Sequence, residues 1–120
     1  MARILTVDDS TSIRMLVADT LHAAGHEVIQ AKDGAEGLAK ASASKMDLVI
    51  SDVNMPGMDG ITLVKRLREM PGYRSVPLLI LTTELDPEKK RLAKVAGATG
   101  WLVKPFNPGQ LLATIRKVID

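Results

Sequence analysis

Five short apolar runs alternate along the chain with five segments of helical spacing, and this alternation limits the folds open to it. Two runs, LVI at 48–50 and LLIL at 78–81, are continuously apolar, as in strands covered on both faces. Strands that alternate with helices predict an α/β fold with a parallel sheet. The predicted strands are Arg3–Val7, Glu27–Ala31, Asp47–Ser51, Leu78–Thr82 and Trp101–Val103.

The segments between the strands repeat apolar residues at steps of three and four, the period of an amphipathic helix. Gly25 is a suitable stop for the first helix, and Asp86 is a suitable cap for the fourth. The second helix, over Ala35–Ser42, has the weakest pattern because its apolar face is mostly alanine. The other apolar positions are Ile13, Leu16, Val17, Leu21 and Ala24 in the first helix, Ile61, Val64 and Leu67 in the third, Leu92, Val95 and Ala96 in the fourth, and Leu111, Leu112, Ile115 and Val118 in the fifth.

The length and composition exclude several classes of protein. A chain of 120 residues suits one domain with one core, so we expect a single domain over residues 1–120. There is no cysteine, which excludes disulfides, thiol catalysis and thiolate metal sites. No run reaches the roughly 18 apolar residues of a membrane span, and Asp8 and Asp9 interrupt any signal peptide. We therefore expect a cytoplasmic protein that does not insert into a membrane.

The net charge of +2 gives little reason to expect a nucleic-acid partner. Four cations cluster in the fourth predicted helix, at Lys89, Lys90, Arg91 and Lys94. So short a cluster is more typical of a solvated helix face than of a nucleic-acid surface. We expect a monomer without direct nucleic-acid binding, and an acidic protein target would suit the cluster.

Polar residues collect where the predicted strands end. Asp8 and Asp9 follow the first strand, Asp52 follows the third, Thr82 ends the fourth and Lys104 follows the fifth. In open α/β sheets, ligands bind beyond the carboxyl ends of the strands. These side chains are therefore expected to meet at one edge of the sheet.

Three carboxylates at one edge need compensating positive charge, because like charges a few ångströms apart raise one another's pKa. Lys104 offsets one charge, and a divalent cation would offset two more. Hard oxygen ligands favour Mg²⁺, Mn²⁺ or Ca²⁺ over Zn²⁺ or Cu²⁺, and few protein ligands with open positions are usual for Mg²⁺. A cation, a lysine and a threonine hydroxyl around Asp52 predict phosphoryl transfer with Asp52 as the nucleophile.

Each of these residues taken alone has a simpler interpretation. Asp8 and Asp9 could cap the first helix, as Ser10 could. Asp52 could be a turn residue, and Lys104 could be an ordinary surface lysine. Their joint placement at strand ends favours the site over these alternatives.

Four motifs point to a known family: VDD at 7–9, SDVNMPGMDG at 51–60, LTTE at 81–84 and VKPF at 103–106. In order, spacing and strand position the chain resembles the receiver domain of two-component response regulators, in particular single-domain chemotaxis regulators. The resemblance covers essentially the whole chain. It implies a flavodoxin-like (βα)5 doubly wound sheet of five parallel strands in the order 2-1-3-4-5. It also implies a signalling protein whose only chemistry is its own phosphorylation and dephosphorylation.

The resemblance assigns roles at the acidic edge. Asp52 matches the aspartate that accepts a phosphoryl group from a histidine kinase. Asp9 and Asp52 match carboxylates that bind Mg²⁺ directly, Asp8 matches one that acts largely through water, and Asn54 would contribute its backbone carbonyl.

It also assigns roles around that edge. Lys104 matches the lysine that pairs with the phosphoryl oxygens, and its bond to the following proline is expected to be cis. Thr82 matches the hydroxyl that moves onto the phosphoryl group, and Trp101 stands at the switch position, which Tyr or Phe usually holds. Asn54 and Glu84 match positions that modulate the lifetime of the phosphoryl bond.

The implied partners are a histidine kinase as phosphodonor and a protein target on the face of the fourth helix, fifth strand and fifth helix. Three alternatives stay open. The chain could be the receiver part of a larger regulator with a DNA-binding output domain, or an unmodified binding module, although every site position is filled. It could also be a Mg²⁺-dependent phosphohydrolase with an aspartyl intermediate, but Asn54 stands where such enzymes usually place a second aspartate.

Overall fold

The computed structural model describes residues 1–119, in which five strands and five helices alternate. The strands form one parallel sheet in the order β2-β1-β3-β4-β5, so the predicted fold class and strand order are confirmed. The strands are β1 (Arg3–Val7), β2 (Glu27–Ala31), β3 (Leu48–Ser51), β4 (Leu78–Thr82) and β5 (Gly100–Val103). The helices are α1 (Thr11–Ala23), α2 (Gly34–Ala43), α3 (Gly60–Arg68), α4 (Pro87–Ala96) and α5 (Pro108–Ile119).

The sheet carries a hydrophobic core on each face. Helices α1 and α5 cover one face, and helices α2, α3 and α4 cover the other. Successive residues of β3 and β4 point to opposite cores: Leu48 and Ile50 face α1 and α5, whereas Val49 faces the other layer. This double burial explains why the central strands are continuously apolar in sequence.

The bounds of the five strands and of α2 lie within one residue of those that the sequence predicts. Strand β3 begins at Leu48 because Asp47 turns its carboxylate back to accept from the Arg3 N–H at 2.8 Å. Helix α2 extends one residue beyond the predicted Ala35–Ser42 at each end. Its N-cap is Asp33, which accepts from the Glu36 N–H at 2.8 Å.

Helix α4 begins after Asp86 as predicted, but its buried face differs from its most hydrophobic residues. Ala93 is buried, whereas Leu92 and Val95 have 42 % and 73 % of their surface exposed. The apolar spacing therefore identified the helix without identifying the side that packs on the sheet. None of the helices in residues 1–119 has the length and apolar character needed to cross a membrane.

Candidate functional site

The register of the sheet brings the ends of β1 and β3 side by side. Val7 pairs with Ser51, and the residue that follows each of them is an aspartate, Asp8 and Asp52. The Asp52 N–H donates to the Val7 carbonyl at 3.0 Å, which continues the pairing beyond the strands. Both aspartates are buried, with 4 % and 8 % of their surface exposed. The two carboxylates therefore meet at the carboxyl edge of the sheet.

Asp9 completes an acidic cluster at this edge. One carboxylate oxygen from each of Asp8, Asp9 and Asp52 lies within 4.8 Å of the other two. Asp9 is exposed, so the cluster is open to solvent on one side. Carboxylate oxygens are the ligands that Mg²⁺ prefers, and an open side leaves coordination positions for water or phosphate oxygens. The donor set therefore fits Mg²⁺.

Lys104 is the cation within this cluster. Its Nζ donates to Asp8 Oδ2 at 2.7 Å and to Asp52 Oδ2 at 2.9 Å, and its own N–H donates to the Thr82 carbonyl at 2.9 Å. Burial acts to lower the pKa of the ammonium, but the hydrogen bonds and charges of Asp8 and Asp52 outweigh burial and raise it. One ammonium among three carboxylates leaves two negative charges, which a divalent cation would neutralise. The bond to Pro105 is cis, as expected.

Backbone N–H groups fix the remaining oxygens of the two buried aspartates. Asp8 Oδ1 accepts from the Ser10 N–H at 2.9 Å, and Asp52 Oδ1 accepts from the Val53 N–H at 2.7 Å. The cap of α1 is Ser10, whose hydroxyl accepts from the Ile13 N–H. The alternative in which Asp8 and Asp9 serve as helix caps is therefore wrong.

Thr82 and Trp101 lie on the same face of the sheet. Ile80 pairs with Trp101 and Thr82 pairs with Val103, and side chains two residues apart along a strand point to the same side. Thr82 is fully buried, and its Oγ1 accepts from the Glu84 N–H at 3.1 Å. Trp101 is half-buried and packs on the core beneath α2, α3 and α4.

Two loops at the edge are joined by what we call the rim network, formed by Asn54, Glu84 and Lys89. Asn54 Nδ2 donates to Glu84 Oε1 at 3.3 Å, and Lys89 Nζ donates to the same oxygen at 3.0 Å. Hydrogen bonds from Lys89, Asn54 and the Asp86 backbone lower the pKa of Glu84 to about 2. The rim network brings together two of the predicted residues, Asn54 and Glu84.

Lys89 is the member of this network that the sequence did not single out. In sequence Lys89 belongs to the basic cluster of α4, whose pattern predicts a solvated helix face. One feature of the sequence does indicate that Lys89 has a specific contact. It is the third residue of α4, where the helix dipole disfavours a cation. A lysine in that position needs a specific acidic partner, and the structure supplies Glu84.

A second basic feature lies away from the acidic edge, between α4 and β5. A cavity of about 460 Å³ there is lined by residues that include Lys90, Lys94, Ala93 and Trp101. Its lining contains cations and apolar side chains and no carboxylate.

Comparisons with known proteins agree with this geometry. The family model described as the response regulator receiver domain matches residues 4–116. The structure of the chemotaxis protein CheY4 from Vibrio cholerae is 56 % identical with a TM-score of 0.94, covering 98 % of each chain. Protein PilH of Pseudomonas aeruginosa is 36 % identical over 119 residues, which are 99 % of this chain and 98 % of PilH.

Other relatives are longer. The gliding motility regulatory protein of Myxococcus xanthus is 40 % identical over 102 residues, which are 85 % of this chain but 13 % of that protein. The chain spans 48 % of the length of a further curated relative.

Proposed function

Because this chain belongs to the response regulator receiver domain family, we propose that it is a phosphorylation-activated switch that accepts a phosphoryl group on Asp52. The observation that carries the proposal is the cluster of the Asp8, Asp9 and Asp52 carboxylates, with the Lys104 ammonium bound to two of them. Receiver domains bind Mg²⁺ at such an acidic pocket. In this chain Asp9, Asp52 and the Asn54 backbone carbonyl would hold the ion directly, and Asp8 would act through water.

The proposed transfer uses the Asp52 carboxylate as nucleophile. One of its oxygens attacks the phosphorus of a phosphohistidine, the phosphorus–nitrogen bond breaks, and the imidazole nitrogen keeps the electron pair. The Lys104 ammonium stabilises the negative charge on the oxygens of the transferred group, from its position 2.9 Å from Asp52. Mg²⁺, when bound, neutralises further charge on those oxygens. Water later hydrolyses the acyl phosphate, so the only chemistry is the protein's own phosphorylation and dephosphorylation.

The proposed switch begins at Thr82. A phosphoryl group carries about −1.5 to −2 charges on three acceptor oxygens, which attract the hydroxyl of Thr82. Trp101 lies on the same face of the sheet and would move into the space that the hydroxyl leaves. The surface formed by α4, β5 and α5 would then change shape for a protein target.

The partners follow from the family and from the charge of that surface. Receiver domains act with histidine kinases and downstream targets, and we propose a histidine kinase as the phosphodonor here. The cavity between α4 and β5, with Lys90 and Lys94 in its lining, suits an acidic target. Since the similar CheY4 is a chemotaxis protein, we propose a role in chemotaxis for a single-domain cytoplasmic monomer.

Intact mass spectrometry after incubation with acetyl phosphate tests the proposal. We expect one added phosphoryl group in the presence of Mg²⁺, and none with EDTA or in Asp52→Asn. An adduct that persists in Asp52→Asn would place the chemistry elsewhere. If decay outpaces the measurement, the fluorescence of Trp101, the chain's one tryptophan, is followed on addition of beryllofluoride. No adduct together with no fluorescence change would favour an unmodified binding module.

A further inference from the structure

The rim network ties helix α4 to both loops that border Asp52. Asn54 lies in the loop after β3, Glu84 lies in the loop after β4, and Lys89 lies in the first turn of α4. Lys89 Nζ is 3.0 Å from Glu84 Oε1 and 3.5 Å from Asn54 Oδ1. The Asn54–Glu84 and Lys89–Asn54 contacts join residues that are 30 and 35 positions apart in sequence.

Lys89 is the cation of this network. Its pKa is raised, chiefly by the hydrogen bond and the charge of Glu84, with smaller contributions from Asp86 and Asp59. The Glu84 side chain is 20 % exposed, and its second carboxylate oxygen accepts from the Asp86 N–H at 3.2 Å. Without Lys89, the Glu84 carboxylate would keep only its two amide donors and would lose its counter-charge.

The network also reaches the buried end of β4. The Glu84 N–H donates to Thr82 Oγ1 at 3.1 Å. Glu84 therefore contacts Lys89 through its carboxylate and the Thr82 hydroxyl through its backbone. Asn54 follows Asp52 by two residues, and Glu84 follows Thr82 by two. The side chains that Lys89 holds therefore belong to the two loops that leave the phosphoacceptor and the Thr82 hydroxyl.

We propose that Lys89 is a positioning residue, which holds Glu84 and Asn54 at the edge of the site and thereby lengthens the life of the phosphoryl group on Asp52. This role rests on the proposed function. When Lys89 is absent, the two side chains lose their shared partner and water gains easier access to the acyl phosphate. Exposed ion pairs contribute modestly, so we expect Lys89→Met to speed the decay roughly two- to fivefold.

The experiment loads the full chain with acetyl phosphate and Mg²⁺, removes the donor, and follows the decay of the phosphorylated species by intact mass. Lys89→Arg keeps a cation and should restore most of the wild-type lifetime. Lys65→Met is the matched control, since it removes an exposed lysine from α3 outside the rim network. It should leave the decay rate unchanged.

A double substitution shows whether Lys89 acts through Glu84. In a Glu84→Ala background, adding Lys89→Met should have little further effect on the decay rate. An unchanged lifetime in Lys89→Met, or the same acceleration in Lys65→Met, would overturn the role of Lys89 while leaving the switch intact. A wild-type chain with neither a phosphoryl adduct nor a fluorescence response to beryllofluoride would overturn the proposed function and this role with it.

Discussion

At the scale of single residues, the backbone that carries Asp52 leaves no room for a side chain at Gly60. A Cβ at Gly60 would lie 1.9 Å from the Asp52 carbonyl oxygen and 3.0 Å from the Val53 Cα. The Gly60 N–H donates to the Val53 carbonyl at 2.8 Å. The first residue of α3 is thus packed directly against the backbone of the proposed phosphoacceptor.

We expect Gly60→Ala to lower the free energy of unfolding by about 2–4 kcal/mol, because backbone atoms rather than a flexible side chain must yield. The displacement falls on Asp52, so phosphorylation by acetyl phosphate should slow as well. Urea unfolding and the mass assay measure the two effects. Gly109→Ala is the control, because its Cβ would meet only the end of the Asn107 side chain, at 3.2 Å. Equal stability of the two variants would contradict the argument from backbone packing.

The sequence predicted the residues of the acidic edge better than it predicted their surroundings. Asp8, Asp52 and Lys104 each directly follow a strand, so the register of the sheet places them at one edge, and the long Lys104 side chain reaches past β4 to both carboxylates. The close packing of Gly60 on the Asp52 backbone and the contact of Lys89 with Glu84 depend on loop conformation, which apolar periodicity does not encode.

At the scale of elements, Arg68 joins the end of α3 to two connections at the opposite edge of the sheet. Its guanidinium donates to the carbonyls of Tyr73, Val76 and Gly97 at 2.6–3.0 Å. Burial lowers the pKa of Arg68. The α3–β4 and α4–β5 connections are therefore held by one side chain, whose planar fork matches several acceptors at once.

We expect Arg68→Ala to lower the free energy of unfolding by about 2–4 kcal/mol, because three carbonyls lose their donor. Arg68→Lys should recover only part of this loss, since an ammonium cannot reach both connections. Arg66→Ala, at an exposed position of the same helix, should change stability by less than about 0.5 kcal/mol. Thermal and urea unfolding of the three variants supply the comparison. A full recovery in Arg68→Lys would show that charge, rather than the fork, holds the connections.

All ten elements were predictable in order and type, and the strands and α2 to within one residue, because strands and helices leave different periods in the sequence. The side of α4 that packs on the sheet was not predictable from the sequence. Its hydrophobic residues Leu92 and Val95 point outward, while the small Ala93 packs on the core. Small side chains permit a close approach to the sheet, and hydrophobicity alone does not reveal that a close approach is required.

At the scale of the whole molecule, the sheet concentrates negative charge that the fold only partly balances. Two of the three clustered carboxylates are buried, and Lys104 is their shared ammonium. The chain as a whole carries a net charge of +2, so this edge is a local exception to the overall charge. A bound divalent cation should therefore stabilise the entire fold.

We expect Mg²⁺ to raise the unfolding midpoint, by an amount equivalent to about 2.7 kcal/mol at a concentration one hundred times its dissociation constant. Asp9→Asn should abolish most of this stabilisation because it removes one of the proposed ligands. Asp19→Asn, at an exposed position on α1, should retain it. Thermal unfolding with increasing Mg²⁺, and with K⁺ at equal ionic strength, makes the comparison. Equal stabilisation of both variants would show that the acidic edge does not bind the ion.

The ammonium that meets Asp8 lies 96 positions further along the chain. A polypeptide emerging from the ribosome therefore displays its acidic residues long before the lysine that balances them has been synthesised. Until β5 is paired with β4, Asp52 lacks this cation, so the site around the proposed phosphoacceptor is incomplete in a partly folded chain. The proposed phosphoryl transfer is therefore a property of the completely folded chain, because its last strand supplies the ammonium beside Asp52.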